Sequence, residues 1–250
     1  MTYSIVARDP ETGQVGIAVA SRFFACGSLV PHVCASAAFA SQAFVNPLWG
    51  TEGLPRLAEN EAPDIILADL VARDAGHTAR QAHMIAPDGR IAQHTGAKCV
   101  PWCGHAKGEN VSVAGNMLTG PEVVTDTLSK WDESADFPFA ERFMAAMEAG
   151  ERAGGDKRGK QAAGLMIYAG QPYPALDLRV DDHDDPLAEL RRLMAVSEER
   201  YLLFREAMGT VENFSGMVDR TPLDIAITEN EANRAAEGIA SQSLATPLTS

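Results

Sequence analysis

Thr2 is the first residue of the chain with a chemistry of its own. A threonine at an N-terminus carries its base with it, because hydroxyl and α-amine belong to one residue. The amine titrates near ~8, so part of it is neutral at cytosolic pH and can accept the hydroxyl proton. Thr2 stands behind Met1, and methionine removal is favoured when the next residue is small. The same threonine is also an ordinary β-branched residue at the start of a strand, and residue type alone leaves both readings open. Acyl transfer would further need donors for an oxyanion. Gly115-Asn116 offers them, since glycine admits close backbone approach and an asparagine amide donates. Gln42 and Asn46, both in SQAFVNPLWG, are second candidates. Each of these residues also serves commonly in turns, bonding its local backbone.

Two further groupings carry ligand-type residues. Cys99, Cys103 and His105 form C-x3-C-x-H. Zinc sites usually combine a tighter cysteine spacing with a second cluster, so the expectation is a packed loop around Trp102. The run Asp181-Asp182-His183-Asp184-Asp185 could hold a cation, but it precedes a helix, where carboxylates cap amides and favour the dipole. No metal or organic cofactor is expected. Neither a phosphate-binding glycine motif nor a Gly-x-Ser-x-Gly elbow occurs.

The elements that must position these residues follow from pattern. Thr2–Arg8 and Gln14–Ala20 read as a hairpin around Asp9-Pro10-Glu11-Thr12-Gly13. Val33–Gln42 reads as small-residue strand, although a buried helix has the same signature. Pro47–Asp74 reads as two helices, and Gln81–Ile85 with Arg90–His94 as a second hairpin. Gly96–Gly108 reads as loop and Val111–Gly115 as a short strand. Helices are expected over Pro121–Trp131 and Ala140–Ala153, then strands over Gln161–Ala169 and, at a sheet edge, Leu176–Val180. Helix follows from Leu187 to about Met208. Runs of strands alternate with runs of helices, which predicts an α+β fold of mostly antiparallel sheets, a four-layer α/β/β/α sandwich. Residues 1–208 form the expected domain and 209–250 an appendage with a disordered tip.

With 250 residues and a formal charge of −13, the chain is large enough for one sizeable core and too acidic to neutralise phosphates. Nucleic acid and anionic membrane are therefore not expected partners, and no apolar run reaches membrane-spanning length. No signal-peptide pattern opens the sequence, so the four cysteines, Cys26 and Cys34 among them, are expected to be reduced thiols in the cytoplasm.

The stretch MTYSIVARDPETGQVGIAVASRF resembles the opening hairpin of N-terminal-nucleophile hydrolases, especially proteasome β-type subunits. In those proteins the strand runs from the nucleophile through a turn to a Ser-Arg pair, matched here by Ser21-Arg22. MIAPDGRIAQHTG resembles a later hairpin of the superfamily, and VSVAGNML the segment after it. AGGDKRGKQAAGLMIYA resembles the turn and strand that carry a catalytic aspartate, a position matched by Asp156. More closely, residues 1 to about 195 resemble the bacterial family catalogued as domain of unknown function 1028. The carrying stretches include SQAFVNPLWG, CVPWCGH, GNMLTGPEVV, AGGDKRGKQ and DLRVDDHDDPLAELRRL. That resemblance implies the N-terminal-nucleophile fold.

The proteasome pattern is only partly present. Ala20 stands where those sites place an aspartate, His32-Val33-Cys34-Ala35 supplies no lysine, and Gly159 replaces a serine. Arg22 or Arg158 could supply positive potential instead. The resemblance thus implies a hydrolase of C–N amide bonds, with Thr2 as nucleophile, Asp156 as partner of the amine and Asn116 at the oxyanion. Its substrate would be a small-molecule or peptide amide. A non-catalytic small-molecule-binding or assembly module of the same fold is the alternative, and a homodimer is compatible with either.

Overall fold

Side chains alternate along a strand, so Tyr3, Ile5 and Ala7 point one way and Thr2, Ser4 and Val6 the other. All six are buried, which requires cover on both faces of this strand. In the computed structural model, which describes residues 2–245, that cover is a helix pair on one side and a second sheet on the other. The expectations for Met1 and for the C-terminal tip, residues 246–250, lie outside the described residues.

In chain order the elements are β1 (Thr2–Arg8), β2 (Val15–Ser21), α1 (Cys26–Leu29), β3 (Pro31–Val33) and β4 (Ala38–Ala43). They continue with α2 (Pro47–Ala58), α3 (Pro63–Arg73), β5 (Arg80–Ile85), β6 (Ile91–Thr95), β7 (Gly104–Gly108) and β8 (Val111–Asn116). Then come α4 (Glu122–Glu133), α5 (Phe139–Arg152), β9 (Ala162–Tyr168), β10 (Leu176–Val180), α6 (Pro186–Val196), α7 (Leu202–Glu206) and α8 (Thr221–Ala236). One sheet has the order β10-β9-β2-β1-β8-β7 and the other β3-β4-β5-β6, every pairing antiparallel. The fold is therefore mixed α and β with antiparallel sheets.

The two sheets meet through β1 and β8 on one side and β4 and β5 on the other. Val6, Ile17, Val19, Val30, Ala40 and Ile85 fill part of the space between them. Helices α2 and α3 cover the outer face of the four-stranded sheet, burying Trp49, Leu57, Ile66 and Leu70 against Phe39 and Met84. Helices α4 and α5 cover the outer face of the other sheet, where Trp131, Phe139 and Phe143 stack edge to face.

Four segments differ from the sequence reading. Val33–Gln42 is two strands, reversed where the Cys34 N–H donates to the Ala37 carbonyl at 3.0 Å. Part of the expected loop Gly96–Gly108 is β7, held by its pairing with β8. The four-residue α1 lies on β9 because two glycines let the backbones touch. A Cβ built on Gly164 would stand 2.8 Å from the Gly27 Cα. Within 209–250, Thr221–Ala236 is the helix α8, which buries only Leu223 and Ile227.

The chain divides into two compact units, one ending at Leu187 and the other beginning at Ala188. In the second unit, α8 packs on α7 and on the π-helical stretch Ser197–Tyr201, and the Asn230 amide donates to the Glu198 and Glu199 carbonyls. Among the described residues no helix is long and apolar enough to cross a membrane.

Candidate active site

Thr2 opens β1 directly opposite Asn116 on β8, one step beyond the Tyr3–Ala20 pair with β2. Residues opposite each other in antiparallel strands share a face. Thr2, Asn116 and Ser21 therefore point together into the space between the sheets. The Thr2 hydroxyl donates to Ser21 Oγ at 3.2 Å, and Thr2 is only 5% exposed. It borders a cavity of about 220 Å³ that is also walled by Phe23, Cys26, Val30, Gln42 and Phe44.

Three residues flanking this region hold left-handed φ angles without being glycine. They are Ala25 at 55°, Ala43 at 70° and Met117 at 60°. Each such residue costs roughly 1–2 kcal/mol, and strain of this kind is concentrated where a site needs fixed geometry.

A chain of buried hydrogen bonds runs between the sheets to the nucleophile candidate. Gln93 Nε2 donates to Ser112 Oγ (2.9 Å), which lies 2.8 Å from His83 Nδ1. His83 Nε2 lies 2.8 Å from Ser4 Oγ, and Ser4 donates to Gln42 Oε1 at 2.6 Å. The Gln42 amide donates to Gln81 Oε1 (2.9 Å), which accepts a second bond from Asn116 Nδ2 (2.9 Å). Asn116 Nδ2 reaches on to the Thr2 carbonyl at 3.4 Å. With one proton per hydroxyl, Ser4 gives its hydrogen to Gln42, so His83 donates to Ser4 from Nε2 and, as a neutral imidazole, accepts from Ser112 at Nδ1. Burial, helped by the neighbouring His105, pushes the His83 pKa down to about 3.

The sequence did not single out Ser4, Gln81, His83 or Ser112. The signal was present in the period-2 pattern: in β5, Gln81 and His83 alternate with Ala82 and Met84, which pack under the helices. Two buried polar residues at successive inward positions of one strand, ahead of the apolar Ile85, require partners across the sheets.

Asp156 is buried and occupied on both oxygens. Its Oδ2 accepts the Arg22 backbone N–H and its Oδ1 the Arg158 N–H, each at 2.8 Å. The Arg158 guanidinium reaches Oδ2 at 3.4 Å, and Arg22 Nη1 donates to the Arg158 carbonyl at 2.8 Å. Asp156, Arg22 and Arg158 thus form one cluster, joined to Thr2 through Ser21, the residue before Arg22.

The other candidates are placed as follows. Gly115 lies in β8, where its carbonyl accepts from Gln81 Nε2 at 2.8 Å. Gln42 borders the Thr2 cavity, but its amide hydrogens go to Gln81 and to the Ala114 carbonyl. Asn46 is not at that cavity. It caps α2 by accepting the Leu48 N–H, donates to Asp74 and borders a separate cavity of about 190 Å³. Cys99 and Cys103 each donate to a backbone carbonyl, and burial raises both thiols. His105 bonds Thr95. Among the described residues no three His, Cys, Asp or Glu side chains are placed to share an ion. In the acidic run, Asp182 accepts from Gln161 and Asp185 pairs with Lys160.

A family model described as "Family of unknown function (DUF1028)" matches residues 2–190. The crystal structure of protein SPO2555 from Silicibacter pomeroyi, which carries the same family description, is similar over 87% of this chain and 99% of that one. The TM-score is 0.79 and the sequence identity 27%. No curated protein matches the chain significantly.

Proposed function

Because the chain belongs to the DUF1028 family, whose function is unknown, its activity must be read from its own site, and we propose that it is an N-terminal-nucleophile amidohydrolase acting through Thr2. The observation that carries this reading is the position of Thr2. The residue lies at the end of the inter-sheet space and borders a cavity, and its hydroxyl is 3.2 Å from Ser21 Oγ. The order of contacts, helix pair to sheet to sheet to helix pair, supports a four-layer α/β/β/α sandwich of the N-terminal-nucleophile hydrolase type.

Hydrolysis of the Met1–Thr2 peptide bond by an aminopeptidase frees the Thr2 α-amine. The amine takes the hydroxyl proton as Oγ1 adds to the amide carbonyl carbon, and it returns that proton to the leaving nitrogen as the C–N bond breaks. The products of this step are an amine and a Thr2 ester. Water then adds to the ester with the amine again as base, releasing a carboxylic acid and restoring Thr2. Asn116 keeps its 2.9 Å bond to Gln81 and exchanges the longer 3.4 Å bond for the developing oxyanion. Asp156 acts as a positioning residue, holding the backbone after Ser21, and the two arginines supply positive charge in place of a lysine.

One observation favours a non-catalytic binding module instead: the amide hydrogens of both Gln42 and Asn116 are spent on internal partners. Protein freed of Met1, assayed on a panel of amides, decides between them. Turnover that is lost in Thr2→Ala and retained in Thr2→Ser is expected. Equal turnover in Thr2→Ala would overturn the proposal.

A further inference from the structure

We propose that the cavity beside Thr2 is an acyl pocket, and that the amide cleaved carries an uncharged, apolar acyl group of up to roughly nine heavy atoms. This rests on the reading of Thr2 as nucleophile. The size follows from volume. A cavity of about 150 Å³ accepts benzene, so about 220 Å³ scales to roughly nine carbons.

The chemistry follows from the walls. Phe23, Leu29, Val30, Phe44 and Val45 line the cavity, and among the described residues no Asp, Glu, Lys, Arg or His does so. The Cys26 thiol on the same wall is pushed up to about 12 by burial, and so it is a neutral surface rather than a competing nucleophile. Gln42 has no amide hydrogen to spare. A carboxylate or ammonium entering here would lose its water with no charged side chain among the described lining residues to replace it. An apolar group loses nothing and covers Phe23 and Phe44, which are 55% and 73% exposed.

The walls are also held in place. Ala43 and Ala25 sit in left-handed backbone at the end of β4 and the start of α1, and the Gly27–Gly164 contact seats α1 on β9. The acyl group is assigned here, rather than the leaving amine, because it alone stays bonded to Thr2 through both half-reactions. The amine must depart before water enters, and a walled pocket would retain it.

The test has two arms. In the first, Met1-free protein is assayed on p-nitroanilides of acetic, butanoic, hexanoic, octanoic and dodecanoic acids, with succinyl and 6-aminohexanoyl compounds as charged controls. Each buried methylene should raise kcat/KM roughly fourfold. The rise should stop near octanoyl, and the charged compounds should be at least a hundredfold poorer than hexanoyl. Val45→Trp, at a half-buried position, should move the optimum to shorter chains.

In the second arm, Thr2→Ala protein is titrated with hexanamide and succinamate by calorimetry, and only hexanamide should bind. Thr2-dependent hydrolysis that ignores chain length, prefers a charged acyl group or follows the amine instead would overturn the pocket and leave the nucleophile intact. Selective hexanamide binding with no hydrolysis of any amide would overturn the nucleophile and leave an apolar site. Neither binding nor hydrolysis would overturn both.

Discussion

Replacing His83 with glutamine removes an ionisable ring from the middle of the hydrogen-bond chain between the sheets. His83 is fully buried, bonded at both nitrogens to serine hydroxyls and faced by His105. Its folded pKa is depressed from the usual 6.5 to about 3. In the unfolded chain the ring binds a proton as pH falls through 6.5, while in the fold it stays neutral until about 3. Protons bound only by the unfolded state favour unfolding, so this stability is present above pH 6.5 and is lost as pH falls towards 3. At about 1.4 kcal/mol per unit, the interval from pH 7 to pH 4 is worth about 3 kcal/mol.

The assay is urea unfolding of both proteins at pH 7 and pH 4, extrapolated to water. His83→Gln is expected to be less stable at pH 7 by about 1–3 kcal/mol, since it leaves a buried hydroxyl unsatisfied. Its further loss at pH 4 should be smaller than that of the parent by about 3 kcal/mol, because every carboxylate titrates alike in both. An equal loss in the two proteins would refute the buried neutral imidazole, and with it the direction of the hydrogen bonds that lead to Thr2.

Three other expectations test how the site is held. Gly164→Ala drives a Cβ into the Gly27 backbone and should cost about 1–3 kcal/mol by urea unfolding, with unchanged stability counting against the seat of α1. Asn46→Ala removes the α2 cap and should cost about 1 kcal/mol of stability. The same variant should leave amide turnover unchanged, because Asn46 borders a different cavity. Cys26 should resist a disulfide reagent at pH 8 in the native protein and react once unfolded, as peptide mapping would show; rapid native labelling would contradict a buried thiol pushed up to about 12.

What the sequence made legible was local. The β1–β2 turn was readable because Asp9 bonds Glu11 and Thr12 within its own loop. The hairpin β5–β6 and the helices α2 to α5 were equally visible, each from its own periodicity and punctuation. The elements missed were those that exist through distant partners. β7, GHAKG, has no strand signature of its own and is held by β8. α1 depends on a glycine in β9, more than a hundred residues away. α8 was hidden for a different reason, since a stripe of two buried residues gives little amphipathic signal.

The candidate site divides in the same way. Thr2, Ser21, Arg22, Asp156, Arg158 and Asn116 came from motif and resemblance, and the fold brings them to one end of the inter-sheet space or to the cluster adjoining it. Asn46, in the same stretch as Gln42, faces elsewhere, because β4 ends at Ala43 and Asn46 is taken up as the N-cap of α2. Ser4, Gln81, His83 and Ser112 come from three strands of two sheets, and only the packing of one sheet on the other brings them together.

The most direct test of Thr2 as the nucleophile is the intact mass and peptide map of protein taken from its native host and treated with a β-lactone. Ring opening by the hydroxyl leaves an ester of the whole reagent mass. The expected result is a chain lacking Met1 with one adduct, on Thr2, and no adduct in Thr2→Ala. A chain that keeps Met1, or an adduct mapped to another residue with Thr2 unmodified, would contradict it.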